Sequence, residues 1–393
     1  MHSISPIPAL AAAPAPAAAT PPLRLVSLDV FRGLTVMAMM LVNFPGSYAY
    51  FTPLTHADWH GFHLADLVFP CFLFIVGVSL SFALGRARLD PAQHGPALRK
   101  ALRRTLILLL LGMFIDLVPR FYFTSFRSPG VLQRIGLVSL ACAALFLKTD
   151  WRRQLAVLAA LLIGYSVLLQ LVPVPGYGPA NLDPVHNLGA WLDRLVFTRH
   201  HLLIDWDGWD PESLLGTLPA IGTGVLGLLA GQWLRRPSVD APTKVAWLLV
   251  AGFGLIVLGL IWSGWFPLNK QLWTSSYVLY TGGIAAATLG ALYWLCDVQG
   301  WRRGFTLPLV FGTNAITVYA LSELGERLLS KTKVAETTAT GEPLALRTYL
   351  FEHFVAPHFA VPELASLFYA VAYTAIWGLV AWLLYRRRIF LKI

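Results

Sequence analysis

Residues 64–84 of the chain read LADLVFPCFLFIVGVSLSFAL, and this stretch decides the fold class. It carries one charged side chain, Asp66, near its start, and the remainder is almost entirely apolar. A run of about 20 apolar residues is long enough to cross the hydrocarbon core of a bilayer as one helix. The sequence therefore predicts an all-α polytopic membrane protein with about ten transmembrane helices. The other apolar runs begin near Leu25, Leu102, Val131, Leu155, Leu214, Val245, Leu272, Leu307 and Leu367.

The composition supports the same class. Of 393 residues, 56% are hydrophobic and 13% are charged, whereas soluble domains have roughly 25% charged residues. Long apolar helices also exclude an outer-membrane barrel, whose strands of about 10 residues alternate in polarity. Residues 1–22 are rich in Ala and Pro and lack the basic start and apolar core of a signal peptide. They are predicted to be a disordered cytoplasmic tail, and residues 23–393 to form one transmembrane domain.

Basic residues cluster in the loops between the apolar runs. Of 30 Lys and Arg residues, 19 fall on the side of the N-terminus and 9 on the opposite side, while Arg32 and Arg134 lie inside runs. Because cytoplasmic loops carry an excess of Lys and Arg, both termini are predicted to be cytoplasmic. Membrane topology thus accounts for the formal net charge of +10, and no nucleic-acid partner is expected.

The cysteines give no indication of a cross-link or a metal centre. Cys71, Cys142 and Cys296 are the three cysteines, and each lies inside or at the end of an apolar run. Free cysteine behaves there as a small hydrophobic side chain. Neither disulfide nor metal-ligand spacing is present, so we expect no bound metal.

A histidine-rich segment, HADWHGFHLAD, occupies residues 56–66. It places His56, His60 and His63 beside Asp58 and Asp66 at a predicted membrane surface. Imidazole titrates near neutral pH, so histidines next to carboxylates are suited to proton transfer. Asp66 follows His63 by three residues and is expected to accept a hydrogen bond from its imidazole. The alternative is an interfacial loop whose His and Trp side chains favour the headgroup region.

The first predicted span contains three polar side chains of interest. A charge inside the bilayer costs about 2.5 to 3.5 kcal/mol on insertion scales and needs a partner or a function. Asp29 and Arg32 are three residues apart on one helix face and are predicted to form a structural ion pair. Asn43 ends the same helix, and its amide is suited to bind a reacting carbonyl, to orient a histidine, or to bridge two helices.

Later spans add three further polar positions. Gln133 and Arg134 open the fourth span. The guanidinium of Arg134 is suited to hold a phosphate or a carboxylate in two hydrogen bonds, or to pair with Asp116. Asn314 lies in the ninth span.

Two long loops, residues 172–213 and 327–363, are predicted to build the non-cytoplasmic face together with the histidine-rich segment. Aromatic faces next to carboxylates suit a sugar, because its CH face stacks while its hydroxyls form hydrogen bonds. The alternative is an aromatic belt with solvated acidic residues. The first loop holds Trp191, His200, His201, Asp205, Trp206, Asp207, Trp209, Asp210 and Glu212.

Several motifs, taken in order, resemble one enzyme family. They are SLDVFRG at 27–33, Asn43, the pattern His-x-x-Trp-x-Gly at 56–61, ADLVFPCF at 65–72, GVLQRIG at 130–136, DPESLLGT at 210–217, NKQLWTSSY at 269–277 and GTNAI at 312–316. Together they resemble the heparan-alpha-glucosaminide N-acetyltransferase family from about Leu25 to the C-terminus. The resemblance identifies a bacterial member, with the inner membrane as its expected location.

The resemblance implies a multi-span acyltransferase that takes acetyl from acetyl-CoA, its co-substrate, on the cytoplasmic side. It delivers the acetyl group to the amine of a glucosamine-type sugar or glycan end on the far side. The family's catalytic histidine and asparagine correspond to His56 and Asn43. On the matching motifs we expect substrate to contact Trp59, Asp66, Asp210, Glu212, Asn269 and Lys270. We expect acetyl-CoA to contact Gln133, Arg134 and Asn314.

Some features depart from the family or leave alternatives open. Because the resemblance begins near Leu25, we expect this protein to lack the long lumenal N-terminal domain of the eukaryotic enzymes, which would favour a small amino sugar over a heparan-sized acceptor. His60 and His63 have no assigned role. Acetyl is transferred either directly to the amine, with His56 as general base, or through an acetylated His56. A proton-coupled amino-sugar transporter and an O-acyltransferase acting on a periplasmic glycan are the alternative functions, and a homodimer is an open option.

Overall fold

The computed structural model describes residues 25–203, 208–337 and 343–391. The predicted tail at 1–22 and the loop positions 205–207 lie outside these described residues. Two short strands, β1 (Lys333–Thr337) and β2 (Pro343–Ala345), pair antiparallel. The described residues form thirteen α-helices: α1 (Val26–Asn43), α2 (Val68–Ala83), α3 (His94–Leu117), α4 (Val131–Lys148), α5 (Trp151–Leu171), α6 (Leu188–Phe197), α7 (Thr217–Leu234), α8 (Ala241–Ser263), α9 (Ser275–Leu292), α10 (Thr306–Thr313), α11 (Ala315–Lys331), α12 (Leu346–Phe354) and α13 (Pro362–Arg386).

All ten predicted apolar runs are helical, which confirms the all-α membrane class, but the count of spans is corrected. Among the described residues, eight helices are long and apolar enough to cross a membrane, and the pair α10 and α11 gives a ninth if it counts as one span. That pair bends by 83° at a break next to Asn314. The remaining run is α3, whose first half contains Arg99, Lys100, Arg103 and Arg104, so its uninterrupted apolar part is shorter than one span.

Glycines allow the central helices to approach each other closely. A Cβ atom added to Gly77 of α2 would lie 2.0 Å from the carbonyl oxygen of Gly224 in α7. One added to Gly227 would lie 2.0 Å from the carbonyl oxygen of Phe74. Small residues at such crossings let helix backbones touch, which is the usual source of packing energy between membrane helices. The backbones of α2 and α7 are therefore in direct contact at these glycines.

The outer helices expose their apolar side chains. Of the 18-residue spanning window of α8, 22% is buried within the protein, compared with 72% for the span containing α2. Trp247, Phe253 and Ile261 of α8 are large and exposed. An apolar helix with so little protein contact is stable only if lipid covers it. This placement fits the expected bilayer partner.

Loops that the charge count assigned to one side also meet at one end of the bundle. Arg88, beyond the end of α2, donates to the carbonyl oxygen of Thr149 at 2.8 Å, and Arg235, beyond the end of α7, donates to that of Ser81 at 2.6 Å. We call this the basic end. The histidine-rich segment precedes α2 and therefore lies at the opposite end, here called the site end.

Candidate active site

The histidine-rich segment folds around a buried carboxylate. A short 3-10 turn over Leu64–Leu67 leads into α2, and Asp66 lies in that turn with 1% of its surface exposed. Its Oδ2 atom accepts hydrogen bonds from the backbone N–H groups of His63, at 2.9 Å, and Ala57, at 3.2 Å. Asp66 therefore holds both ends of the loop from His56 to His63 in place.

The second oxygen of Asp66 holds His56. Oδ1 of Asp66 lies 2.8 Å from Nδ1 of His56. An ionised carboxylate only accepts, so Nδ1 carries the proton and the lone pair of the neutral ring is at Nε2. The expected pairing of Asp66 with the His63 ring is wrong, because that ring contacts Thr55 instead. The reason is local geometry: the turn directs the backbone N–H of His63, and not its ring, at Asp66.

Lys270 completes this group from the loop before α9. Its Nζ atom lies 2.9 Å from Nε2 of His56 and 3.9 Å from Oδ1 of Asp66. Since Nε2 holds the lone pair, Lys270 donates to it when protonated. Burial lowers the pKa of Lys270 to about 8, although the charges of Asp66 and Glu212 favour its protonated form. Lys270 is thus a buried amine that can change its charge close to physiological pH.

His56 is held in its neutral form. Burial lowers the pKa of His56 below its ordinary value and outweighs the hydrogen bond to Asp66, and the charge of Lys270 lowers it further. A neutral imidazole with a fixed tautomer and a carboxylate behind it is the arrangement of a general base.

Asn43 and His56 line one cavity. This cavity, which we call the His56 cavity, has a volume of about 80 Å³ and is bounded mainly by α1, α2 and α4. Lys270 and Glu212 also line it, so four residues selected from the sequence meet here. The amide nitrogen of Asn43 lies 3.5 Å from Oε1 of Glu323 in α11. The apolar and aromatic part of the wall includes Met39, Val42, Phe69, Phe72 and Tyr319.

Two further cavities lie next to the His56 cavity. The middle cavity, of about 220 Å³, shares Asn43 and Tyr319 with it and is also lined by Gln133. The outer cavity, of about 390 Å³, shares Arg127 and Arg327 with the middle one and reaches the loop after α3. All three cavities thus lie at the site end and share polar lining residues.

Arg127 joins the acidic residues of the loop before α7. Its Nε and Nη2 atoms bind the two carboxylate oxygens of Asp210 at 2.7 and 2.6 Å, and Nη2 also binds Glu212. Burial opposes the charge of Arg127, but Glu212 and Asp210 outweigh it and keep its pKa above the ordinary value. Asp210 is fully buried in this pair, whereas Glu212 also faces the His56 cavity.

The other predicted substrate contacts lie beside the site. The indole N–H of Trp59 donates to the carbonyl oxygen of Leu182 at 2.9 Å, and its ring meets Trp209 edge-on. The side chain of Asn269 lies 3.2 Å from Nδ1 of His60 and accepts from the backbone N–H of Leu272. These contacts fix the loop that carries Lys270. Their role in substrate binding stays a prediction.

The predicted acetyl-CoA contacts are dispersed. Arg134 is buried, donates to the carbonyl oxygen of Ser213 at 2.9 Å and lies over the ring of Trp273. It does not pair with Asp116, which binds Arg327 instead. Asn314 contacts the backbone of the C-terminal segment: it donates to Ile389 and accepts from Leu391, both at 3.0 Å. Of the three residues, Gln133 alone is among those that line the cavities next to His56.

The predicted ion pair of the first helix is present. Nη1 of Arg32 lies 3.0 Å from Oδ1 of Asp29, and Nη2 donates to the hydroxyl of Ser79 at 2.8 Å. The structural role of the pair stays a prediction.

Within the ranges that the structure describes, no group of three or more His, Cys, Asp or Glu residues is placed to hold a metal ion.

Sequence reasoning missed two residues of the site. Arg127 is one of the nine basic residues predicted on the side opposite the N-terminus, where it has no individual role. Glu323 is not among the predicted site residues. A signal for Arg127 was available, since two carboxylates as close as Asp210 and Glu212 need a cation if they are buried. Glu323 lies in a broken helix whose apolar pattern gives no clue to its partner Asn43.

A buried acid in α6 makes stability depend on pH. Asp193 is fully buried; one carboxylate oxygen accepts from the backbone N–H of Leu214 at 2.8 Å, and the other has no hydrogen-bond partner among the described residues. Burial raises the pKa of Asp193 to about 7. The native state therefore keeps a proton that the unfolded state loses above its ordinary pKa of 3.8, so stability falls as pH rises from about 4 to about 7.

We expect Asp193→Asn to remove this dependence, because an amide needs no proton to stay neutral. The variant gains clearly more thermal stability over the wild type at pH 8 than at pH 5, and little or none near pH 4. A thiol-reactive dye measures unfolding, since Cys71, Cys142 and Cys296 are all buried in the native state. An equal difference in unfolding midpoint at both pH values would contradict the assignment.

Comparisons with known proteins agree with the motifs. The family described as "Heparan-alpha-glucosaminide N-acetyltransferase, catalytic" matches residues 24–260. The heparan-alpha-glucosaminide N-acetyltransferase of Homo sapiens is 30% identical over 435 aligned residues, covering 95% of this chain and 60% of the human protein. The enzyme of the same name from Mus musculus is 29% identical over 428 aligned residues, which cover 94% of this chain and 60% of the mouse protein. The chain thus spans about 60% of the length of these curated relatives. Because the family match extends over more than half of its residues, the chain belongs to the heparan-alpha-glucosaminide N-acetyltransferase family.

Proposed function

We propose that the protein transfers the acetyl group of acetyl-CoA to the amine of a glucosamine-type sugar. The observation that carries this proposal is the buried group of His56, Asp66 and Lys270, which meets Asn43 at one cavity. The family supports the reaction type, since its matching relatives bear the name of an N-acetyltransferase. A thioester is already activated, so the enzyme needs mainly to position the two substrates and to deprotonate the amine.

His56 acts as the general base in this proposal. The sugar ammonium replaces Nζ of Lys270 at Nε2 of His56 and gives up a proton there. The free amine then attacks the thioester carbonyl carbon. Asp66 stabilises the imidazolium that forms, because its carboxylate already binds Nδ1 at 2.8 Å. In the tetrahedral intermediate the former amine nitrogen loses its second proton to solvent. Collapse then breaks the C–S bond, and the leaving thiolate takes up the proton held by His56, so the reaction releases one proton overall.

Asn43 and Lys270 are the proposed donors for the oxygen that becomes negative during attack. Both line the His56 cavity, and Asn43 has one weak contact at 3.5 Å, which leaves its amide free to turn toward a substrate. Preorganised donors at such an oxygen are worth about 2.7 to 4 kcal/mol in acyl-transfer enzymes. We propose that Glu212, on the wall of the same cavity, receives the sugar's ammonium or hydroxyl groups.

We further propose that the site end faces the periplasm of a bacterial inner membrane and that acetyl-CoA enters from the cytoplasm. The distribution of Lys and Arg between the loops supports this orientation. A cysteine at the exposed position Asp58 is expected to react with a membrane-impermeant thiol reagent added to the periplasm, whereas one at Ala92 is not. The buried native cysteines give little background. The reverse labelling pattern would overturn the orientation.

The function itself is tested with purified protein, labelled acetyl-CoA and glucosamine. The expected product is labelled N-acetylglucosamine, which resists mild alkali. Label released by mild alkali would identify an O-acyltransferase instead. In proteoliposomes, uptake of labelled glucosamine driven by a pH gradient without acetyl-CoA would identify a transporter. Either result would exclude the proposed reaction.

The contact between Lys270 and His56 predicts a shift of the pH profile. The charge of Lys270 lowers the pKa of His56, so Lys270→Met is expected to raise it. His56 of the free enzyme then stays protonated, and inactive as a base, up to a higher pH, and the acid limb of kcat/KM moves to higher pH. Lys270→Arg keeps the positive charge and serves as the control. The acid limb of its pH profile is expected to stay close to that of the wild type. Identical limbs in all three proteins would show that this contact does not control His56.

A further inference from the structure

A groove at the basic end has a chemistry unlike the rest of the surface. It has a volume of about 750 Å³ and lies between the ends of α2, α5 and α7. Its upper wall holds Arg88, Arg235 and Arg236, which lie just beyond the helices. Its lower wall is built from apolar side chains of the spans, namely Trp151, Leu155 and Leu229. We call it the Arg–Trp groove; it combines guanidinium groups, which suit a phosphate headgroup, with apolar side chains, which suit an acyl chain.

The positive charges of the groove lack a matching negative charge. None of its lining residues is acidic. Within the described ranges, no carboxylate lies within salt-bridge distance of Arg88, Arg235 or Arg236. Asp150 favours the charge of Arg88, but its carboxylate accepts from the backbone N–H of Arg153 at 2.8 Å and caps α5. Arg88 in turn opposes the charge of Arg235. An anion placed between these guanidinium groups would relieve their repulsion.

The guanidinium groups are already held in position. Arg88 donates to Gln232 at 2.5 Å and to the carbonyl oxygen of Thr149 at 2.8 Å. Arg235 donates to Ser81, and Arg236 lies 5.0 Å above the ring of Trp233. Anchored guanidiniums lose little side-chain entropy when they bind an anion, and their planar form suits phosphate oxygens.

The lower wall identifies the source of that anion. Leu155 and Trp151 are 48% and 46% exposed, so the apolar wall is open to the bilayer. A soluble phosphate would leave this wall uncovered, whereas a phospholipid covers it with an acyl chain. The groove also shares no lining residue with the three cavities of the site end, and the 16 residues of α2, about 24 Å of helix, separate it from His56. The groove is therefore distinct from the proposed reaction site.

We propose that the Arg–Trp groove binds one anionic phospholipid, with its phosphate among Arg88, Arg235 and Arg236 and an acyl chain along Leu155 and Leu229. Basic pockets between membrane helices are a known form of headgroup recognition. The bound lipid contacts the ends of α2, α5 and α7 together, and so stabilises the bundle at the basic end, opposite the histidine-rich segment. This inference does not depend on the proposed acetyl transfer.

The test compares two double variants with equal net charge. Arg235→Gln with Arg236→Gln changes the groove, and Arg302→Gln with Arg303→Gln removes two exposed charges elsewhere. Binding of phosphatidylglycerol to the detergent-solubilised protein is counted by native mass spectrometry, and unfolding is followed with the thiol-reactive dye. Each arginine contributes about 1 kcal/mol to the binding of an anionic lipid. The groove variant is therefore expected to bind phosphatidylglycerol about 30-fold more weakly, while the affinity of the control variant stays near that of the wild type.

Other probes distinguish the source of the phosphate. Phosphatidylglycerol is expected to raise the unfolding midpoint of the wild type by several degrees more than phosphatidylcholine does. Inorganic phosphate and free CoA at the same concentration are expected to have no such effect. An equal loss of binding in both double variants, or an equal shift with phosphatidylcholine or with inorganic phosphate, would overturn the proposal. The single variant Arg236→Gln, on an exposed side chain, provides the comparison if the double variant does not fold.

Discussion

His56→Ala is expected to lower the rate of acetyl transfer by about 100-fold or more, the usual effect of removing a general acid or base. The physical reason is that His56 presents the fixed lone pair at Nε2, with Asp66 behind it to stabilise the positive ring. The assay follows labelled acetyl from acetyl-CoA to the sugar amine. The unfolding midpoint is expected to stay close to that of the wild type, because half-buried His56 packs at the edge of a cavity.

His60→Ala and His63→Ala are the matched controls. His60 contacts Asn269 and the ring of His63 contacts Thr55, so neither ring faces the His56 cavity. Both variants should keep most of the activity. Retention of near-normal transfer by His56→Ala would falsify the assignment of the base. Trapping labelled acetyl on the wild type, but not on His56→Ala, would instead identify an acetyl-histidine intermediate.

Arg127→Met is expected to be the most damaging single change to stability. It leaves the carboxylates of Asp210 and Glu212 buried side by side without the guanidinium that binds both. Removing one partner of a buried ion pair costs about 3 to 5 kcal/mol, which is a large part of the stability of most proteins. The expected result is a much lower yield of folded protein in detergent and a lower unfolding midpoint by the thiol-dye assay.

A charge-balanced variant separates this effect from a simple loss of packing. In Arg127→Met, Asp210→Asn, Glu212→Gln the carboxylates become neutral, so no unpaired charge is buried. The folded yield is expected to recover in large part. If the triple variant is no more stable than Arg127→Met, packing of the arginine stem is responsible, and not its charge.

The fold class could be predicted because apolar length is a local property of the sequence. Each of the ten runs is a helix, and the charge count grouped the loops into the two ends at which the structure places them. The number of spans could not be predicted so well. At the break, Asn314 forms hydrogen bonds with the backbone of Ile389 and Leu391, about 75 positions away, and no local pattern encodes such contacts.

The site was only partly predictable for a similar reason. His56 and Asp66 are ten residues apart in a loop, a spacing that belongs to neither a helix nor a strand, so their contact had to be found in three dimensions. Lys270 and Asn43 came from family motifs, since nothing in their local sequence indicates a shared cavity with His56. Asn314 was associated with acetyl-CoA through its motif, yet both of its polar side-chain groups bind the protein backbone.

The small size of the His56 cavity bears on a side reaction that any acetyl-transfer site must suppress. A thioester beside a general base is open to attack by water as well as by an amine. The cavity of about 80 Å³ has Met39, Phe69, Phe72 and Tyr319 on its wall, and these side chains offer few hydrogen bonds to water. In the proposed reaction, an acetyl group that fills this space leaves little room for solvent. Acetyl-CoA then persists at the site until a sugar arrives, and hydrolysis consumes only a small fraction of the donor.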